Sequence, residues 1–166
     1  TGEVSGAGVS VWSTPAIDVE RNMMFIGTGQ AYEEPAGPRS DSLVAIDYIT
    51  GELLWVRQFT PDDVYTLFQP VPQGPDADIG AAPNLFTIDG RDVVGVGDKA
   101  GVYAALDRDT GEEVWATHLG PGSHLGGVMT AAAYAEGLIF LAQNAFPRGF
   151  DTENVVIPDF NDPENT

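Results

Sequence analysis

Residues 44–55 read VAIDYITGELLW, and residues 104–115 read AALDRDTGEEVW, the same twelve-residue sentence sixty positions later. Six positions coincide: Ala45 with Ala105, Asp47 with Asp107, Thr50 with Thr110, Gly51 with Gly111, Glu52 with Glu112 and Trp55 with Trp115. In each copy a short alternating run enters a polar Thr-Gly turn and a second run ending in Trp leaves it, which is the pattern of a β-hairpin. A lone hairpin cannot bury its apolar face. Repetition at this period therefore predicts sheets stacked around a shared core.

Working outward, each hairpin follows a second pair of apolar runs. STPAID (13–18) turns into MMFIGTG (23–29), and AAPNLFTI (81–88) turns through Asp89-Gly90 into residues 93–97. A third copy begins at Thr130 as TAAAYAEGLIFLAQ and never reaches its Trp. The unit is four strands, the size of a propeller blade. The expected organisation is a blade unit at 11–59, an inserted Pro/Asp/Gln loop at 60–78, a second unit at 79–119, the start of a further blade at 127–142, and a loop or tail at 143–166. No stretch carries helical periodicity over ten or more residues, so the fold class is all-β. A small β-sandwich would instead need about seven regular strands and no truncated last repeat. Two and a half blades leave sheet edges open, and closure takes about four to eight. The remaining blades are expected from a longer chain or from a companion chain.

Seven basic residues stand against 25 acidic ones, a net charge of −18, and Lys99 is the only lysine. Such a balance argues against nucleic acid, whose affinity comes from cations on phosphate, and against an anionic membrane surface. No run approaches the roughly 18 apolar residues of a membrane-spanning helix. The absence of cysteine excludes disulfides and a thiolate nucleophile or metal ligand within these residues.

No conventional catalytic constellation stands out. His118 and His124 lack the spacing of a metal site or triad, and His118, just past the repeat Trp, reads as decoration on a strand. Ser13 has no nucleophile-elbow context. Gly27-Thr28-Gly29 ends a strand with no helix after it, so it is no dinucleotide fingerprint.

The repeated A-x-D-x-x-T-G-x-x-x-W resembles the tryptophan-docking motif of the quinoprotein dehydrogenases, eight-bladed propellers that bind pyrroloquinoline quinone (PQQ) on their axis. The stretches SGAGVSVWSTPAID (5–18), RQFTPDDVY (57–65) and GVGDKAGVYAALD (95–107) are similar to the polyvinyl alcohol dehydrogenase-like branch, and the resemblance runs from Ser5 to Ala142. It implies that Trp12 forms the floor under the planar quinone, where an aromatic face supplies stacking area and excludes water. It implies that Lys99 reaches the quinone oxygens, where a fixed cation stabilises developing negative charge. Trp55 and Trp115 are the structural docking residues, expected to be buried between adjacent blades. Trp12, Gln30 and Lys99 are expected to converge at one end of the sheets.

Two positions depart from the family pattern. Gln30 stands where alcohol dehydrogenases of the family carry the Asn that ligates calcium, and its amide oxygen lies one methylene further out. Thr66, following the aromatic Tyr65, stands at the position of the general base, and a threonine cannot take a proton as a carboxylate does. Asp62 and Asp63 are the nearby substitutes, although both read as solvated turn residues. The acidic calcium ligand would come from an earlier blade. By resemblance the whole protein oxidises secondary alcohols or polyols by hydride transfer to PQQ, passes electrons to cytochrome c or another acceptor, and works in the periplasm or outside the cell. Two other readings stand beside it: a non-catalytic propeller of the same superfamily serving as scaffold or binding surface, and an acidic module that binds cations or glycans.

Overall fold

The structure, a computed structural model, describes residues 8–67, 73–123 and 125–144. These form ten strands and no helix. One antiparallel sheet contains β1 (Ala16–Asp18), β2 (Met23–Gly27), β3 (Ser42–Asp47) and β4 (Leu53–Gln58), side by side in chain order. A second repeats the arrangement with β5 (Asn84–Ile88), β6 (Arg91–Gly97), β7 (Val102–Asp107) and β8 (Glu113–His118). The pair β9 (Ala133–Ala135) and β10 (Leu138–Phe140) follows.

The repeated motif folds the same way twice because nearly every shared residue has a local bond to make. The Asp47 carboxylate accepts the amides of Ile49 and Thr50, and the Thr50 hydroxyl accepts that of Glu52. Asp107 does the same for Asp109 and Thr110, and Thr110 for Glu112. The glycines sit at φ 76° and 74°, the left-handed region that glycine enters at little cost. In both copies the register slips after the Ala opposite Trp, between Ala45 and Ile46 and between Ala105 and Leu106, a bulge that bends the outer strand. Asp89-Gly90, at φ 50° and 79°, closes the two-residue hairpin between Ile88 and Arg91.

Two first strands are shorter than the sequence suggests. The run from Ser13 pairs only from Ala16, and the run from Ala81 only from Asn84. Pro15 and Pro83 stand immediately before these residues and have no N–H to give a ladder. Residues 28–29 leave the sheet: the Thr28 hydroxyl bonds the Arg39 carbonyl and the Gly29 amide bonds Ser10. His118 is exposed on β8. His124 and most of the 143–166 segment lie outside the described residues.

The core lies between the two sheets. Met23, Phe25, Leu43 and Ala45 of the first pack on Val94, Val96, Ala104 and Leu106 of the second. Trp55 closes this layer, its ring 5.7 Å from that of Phe25 and tilted 43° to it, and donates its indole N–H to the Arg108 carbonyl at 3.1 Å. The turn it meets is that of the neighbouring repeat, since a Cβ on Gly111 would come within 2.7 Å of the Trp55 ring. Trp115 lies beside Tyr103 and faces the β9–β10 pair through Ile139. Both indoles are half-buried. At one end the sheets are tied by charge: Arg108 reaches Asp18 at 2.8 Å, and Arg21 bridges Asp18, Asp92 and Asp109.

Candidate functional site

The inserted loop, 60–78, builds the site by doubling back on itself. Ala31 pairs with both of its neighbours in the loop, donating to the Asp63 carbonyl and accepting from the Tyr65 amide, each at 3.0 Å. The returning arm is fixed by the Gly74 amide on the Val64 carbonyl at 2.8 Å. Asp63 then accepts the amides of Asp76 and Ala77 at 3.3 and 2.7 Å. The expectation of a solvated Asp63 is thus corrected: its exposure is 0%. A carboxylate that accepts two backbone amides organises the loop, and satisfied amides are what make its burial affordable. Asp62 is exposed, at φ 59°, and stays a turn residue.

The return delivers Asp76 and Asp78 to Lys99. The Lys99 ammonium lies 2.9 Å from Asp76 Oδ2 and 2.6 Å from Asp78 Oδ2. Its backbone is pinned as well, the amide donating to the Asp78 carbonyl at 3.0 Å and the carbonyl accepting the Ser123 amide at 3.1 Å. An ordinary exposed lysine at a turn is therefore not what stands here: Lys99 is buried. Burial disfavours its charge, but the hydrogen bonds it donates to Asp78 and Asp76 outweigh that and hold it above the usual lysine range. Asp76 also moves upward, first through burial and then through Asp78 and Asp63, because it shares its one cation with a second carboxylate.

Trp12 lies in the segment before β1, and 47% of it is exposed. Its ring edge sits over Gly80, where any Cβ would overlap it. The Lys99 ammonium stands 5.9 Å from the ring centroid, in reach of a cation–π attraction. Gln30 is buried; its amide N–H from the backbone meets Asp78 Oδ1 at 3.0 Å, and its side-chain nitrogen meets the Tyr65 carbonyl at 3.3 Å. These residues, with Tyr65, Thr66 and Met129, line one cleft of about 750 Å³. Trp12, Gln30 and Lys99 do converge there, and Thr66 joins them; Asp62 and Asp63 do not line it.

Within the influence of Asp63, Asp78 and Asp76, but not in the cleft lining, stands Asp41, which the sequence did not single out. It is 0% exposed, and neither carboxylate oxygen has a hydrogen-bond partner. Burial, with the nearby charges of Asp63, Asp78 and Asp76, pushes its pKa up to about 8. Asp76 and Asp78 were missed too. No strand pattern marks the pair, because Asp76 takes a left-handed φ of 58° and the segment is not a regular strand.

Four-stranded antiparallel sheets repeated along the chain, with an indole and a buried cation lining one cleft, are the features of a propeller domain. The chain belongs to the PQQ family described as the β-propeller domain of glucose, ethanol and alcohol dehydrogenases, which matches residues 2–121. It is 40% identical over 130 residues to the polyvinylalcohol dehydrogenase of Pseudomonas sp., covering 74% of this chain and 20% of that protein. With the polyvinylalcohol dehydrogenase of Sphingopyxis sp. it shares 35% identity over 160 residues, covering 86% of this chain and 24% of that one. Among solved structures, the quinohemoprotein alcohol dehydrogenase ADHIIG of Pseudomonas putida HK5 superposes with a TM-score of 0.55 at 24% identity, over 81% of this chain and 20% of that one, a likeness of fold. The chain thus spans about a fifth to a quarter of the curated relatives' length.

PQQ is the cofactor of this family, and the residues present fit its ring system. The half-exposed Trp12 face and the Lys99 ammonium beside it offer a flat apolar floor and a cation to an oxygen at its edge. Among the described residues no group of three or more His, Asp or Glu side chains is placed to hold a metal ion.

Proposed function

We propose that this chain supplies part of the active site of a PQQ-dependent dehydrogenase that oxidises a secondary alcohol or polyol. The observation that carries the reading is the meeting of Trp12 and Lys99 in one cleft. In this reading residues 11–59 and 79–119 are blade units, 127–142 opens another, and the rest of the ring completes the cleft. When bound, PQQ supplies the electrophilic quinone that accepts the hydride. Trp12 orients the ring and keeps water from its lower face, while Lys99 holds positive charge beside the oxygen that becomes anionic. Leu67, Leu125 and Met129 add apolar lining to the cleft, against which the carbon skeleton of a polyol would rest. The names of the relatives support a polymeric secondary alcohol as substrate. Calcium, an electron acceptor such as cytochrome c, and a periplasmic or extracellular location belong to this reading through the family alone.

The test is reconstitution of the full-length protein with PQQ and calcium, followed by quenching of Trp12 fluorescence and dye-linked oxidation of secondary alcohols. Quenching and oxidation together are the expected result. A protein that binds no PQQ is instead a scaffold of the same superfamily, a reading that Thr66 at the base position favours.

A further inference from the structure

The family's base position holds Thr66, yet a carboxylate faces the same cleft from the other arm of the loop. We propose that Asp76 takes the hydroxyl proton of the alcohol in place of the side chain at position 66. The proposal rests on the dehydrogenase reading above and names the base for that same site.

Apart from Asp62, which is exposed and does not line the cleft, four carboxylates of the loop and its surroundings compete for the role, and their contacts separate them. Asp63 is turned inward onto the amides of Asp76 and Ala77 and does not line the cleft. Asp41 has 0% exposure and does not line it either. Asp78 does line it, but both its oxygens are committed, Oδ1 to the Gln30 amide at 3.0 Å and Oδ2 to Lys99 at 2.6 Å. Asp76 lines the cleft and is held to Lys99 through Oδ2 at 2.9 Å. The two arms of the loop are fixed against each other, since the Thr66 amide donates to Gln73 Oε1 at 3.3 Å and Asp63 clamps the returning backbone. Hydrogen bonds thus hold the carboxylate in the lining of the cleft that Thr66 also lines, with no movement of the loop required.

The charges also suit the step. The alcohol O–H bond breaks and its proton passes to the Asp76 carboxylate; the C–H electron pair leaves as hydride to the bound ortho-quinone, which is reduced by two electrons, and the alcohol carbon becomes a carbonyl. The proton cancels a charge that Lys99 had been balancing. More of the ammonium's field then falls on the oxygen that has gained charge. Asp78, Asp63 and Tyr65 surround the acceptor, and burial with the two carboxylates raises its affinity for a proton, which moves a base towards working pH.

The experiment uses the full-length protein, wild type and Asp76→Asn, with PQQ affinity read from Trp12 quenching and turnover read separately. An Asn side chain keeps an oxygen for Lys99, so PQQ affinity and KM should change only a few-fold. Turnover should fall on the order of 100- to 10,000-fold, the usual contribution of a positioned base. Difference titration of the two proteins should show that the variant has lost one group ionising above the ordinary carboxylate range. Adding Thr66→Asp to the variant restores a carboxylate to the cleft and should recover at least about tenfold of the lost rate. Unchanged turnover in Asp76→Asn overturns the assignment, as does an inactive variant that keeps its PQQ but gains nothing from Thr66→Asp. A wild type that binds no PQQ overturns the dehydrogenase reading itself, an outcome visible before any variant is made.

Discussion

Lys99 sits between two carboxylates and an indole, so removing it strands both acids. Breaking a buried ion pair by deleting one partner costs about 3–5 kcal/mol, because the remaining charge keeps its burial and loses its cation. Urea unfolding of Lys99→Ala should show that loss at mildly alkaline pH and a smaller one in mild acid, where Asp76 takes up a proton. With saturating PQQ, turnover of the same variant should fall on the order of 100- to 1,000-fold, as for loss of one oxyanion-stabilising donor. Asp41 gives the opposite experiment. Its folded pKa of about 8 lies above the ordinary 3.8, so the folded state holds the proton more tightly. Its contribution to stability is present below the lower value and is lost as pH rises towards the upper one. Asp41→Asn should therefore be more stable than wild type above pH 8, by on the order of 1–3 kcal/mol, and no more stable at pH 4. A variant whose advantage does not grow with pH contradicts an uncompensated Asp41.

At the scale of elements, the hairpins and the inserted loop differ in how their order is encoded. Trp55→Ala should cost about 3–5 kcal/mol, the range for a large aromatic lost from a packed site. Gly111→Ala should be destabilising too, because the position has φ 74° and the new methyl meets the Trp55 ring. Both are read from urea unfolding of the full-length protein. The hairpins were legible because Asp47, Thr50 and Gly51 bond partners within five residues, so the sequence motif is itself the list of contacts. In the loop the partners are distant. Asp63 meets amides 13 and 14 residues on, and Lys99 meets a carboxylate 23 residues back. Local reading sees only Pro, Gly and Asp and infers a solvated turn. Trp12 and Lys99 were found through the resemblance, whereas Asp76 and Asp78 needed the fold to bring them together. Asp63→Ala should accordingly loosen residues 73–78, seen as faster amide exchange there and little change in β2, β3, β6 and β7.

Across the whole molecule a net charge of −18 repels itself, and salt screens that repulsion. Exposed pairs such as Arg57–Glu113 weaken under the same screening, but surface pairs contribute only about 0–1 kcal/mol. The buried Arg108–Asp18 bridge between the sheets is largely shielded from the solvent ions. Raising sodium chloride from about a tenth molar to one molar, where the Debye length falls from about 10 to 3 Å, should therefore raise Tm. A falling Tm would mean that attraction between surface charges outweighs their repulsion.

The seat of Trp55 has a bearing on how such a chain is made. Its indole N–H finds its acceptor 53 residues later, in the turn of the repeat that follows. During synthesis the first sheet can pair its strands as soon as they leave the ribosome, yet its indole N–H stays without an acceptor until the next hairpin emerges. Each newly finished sheet inherits that waiting position from the one before. Vectorial growth thus carries one sticky side chain at its leading edge, a natural handle for a chaperone, and in a closed ring the last indole would be retired only when the final sheet meets the first.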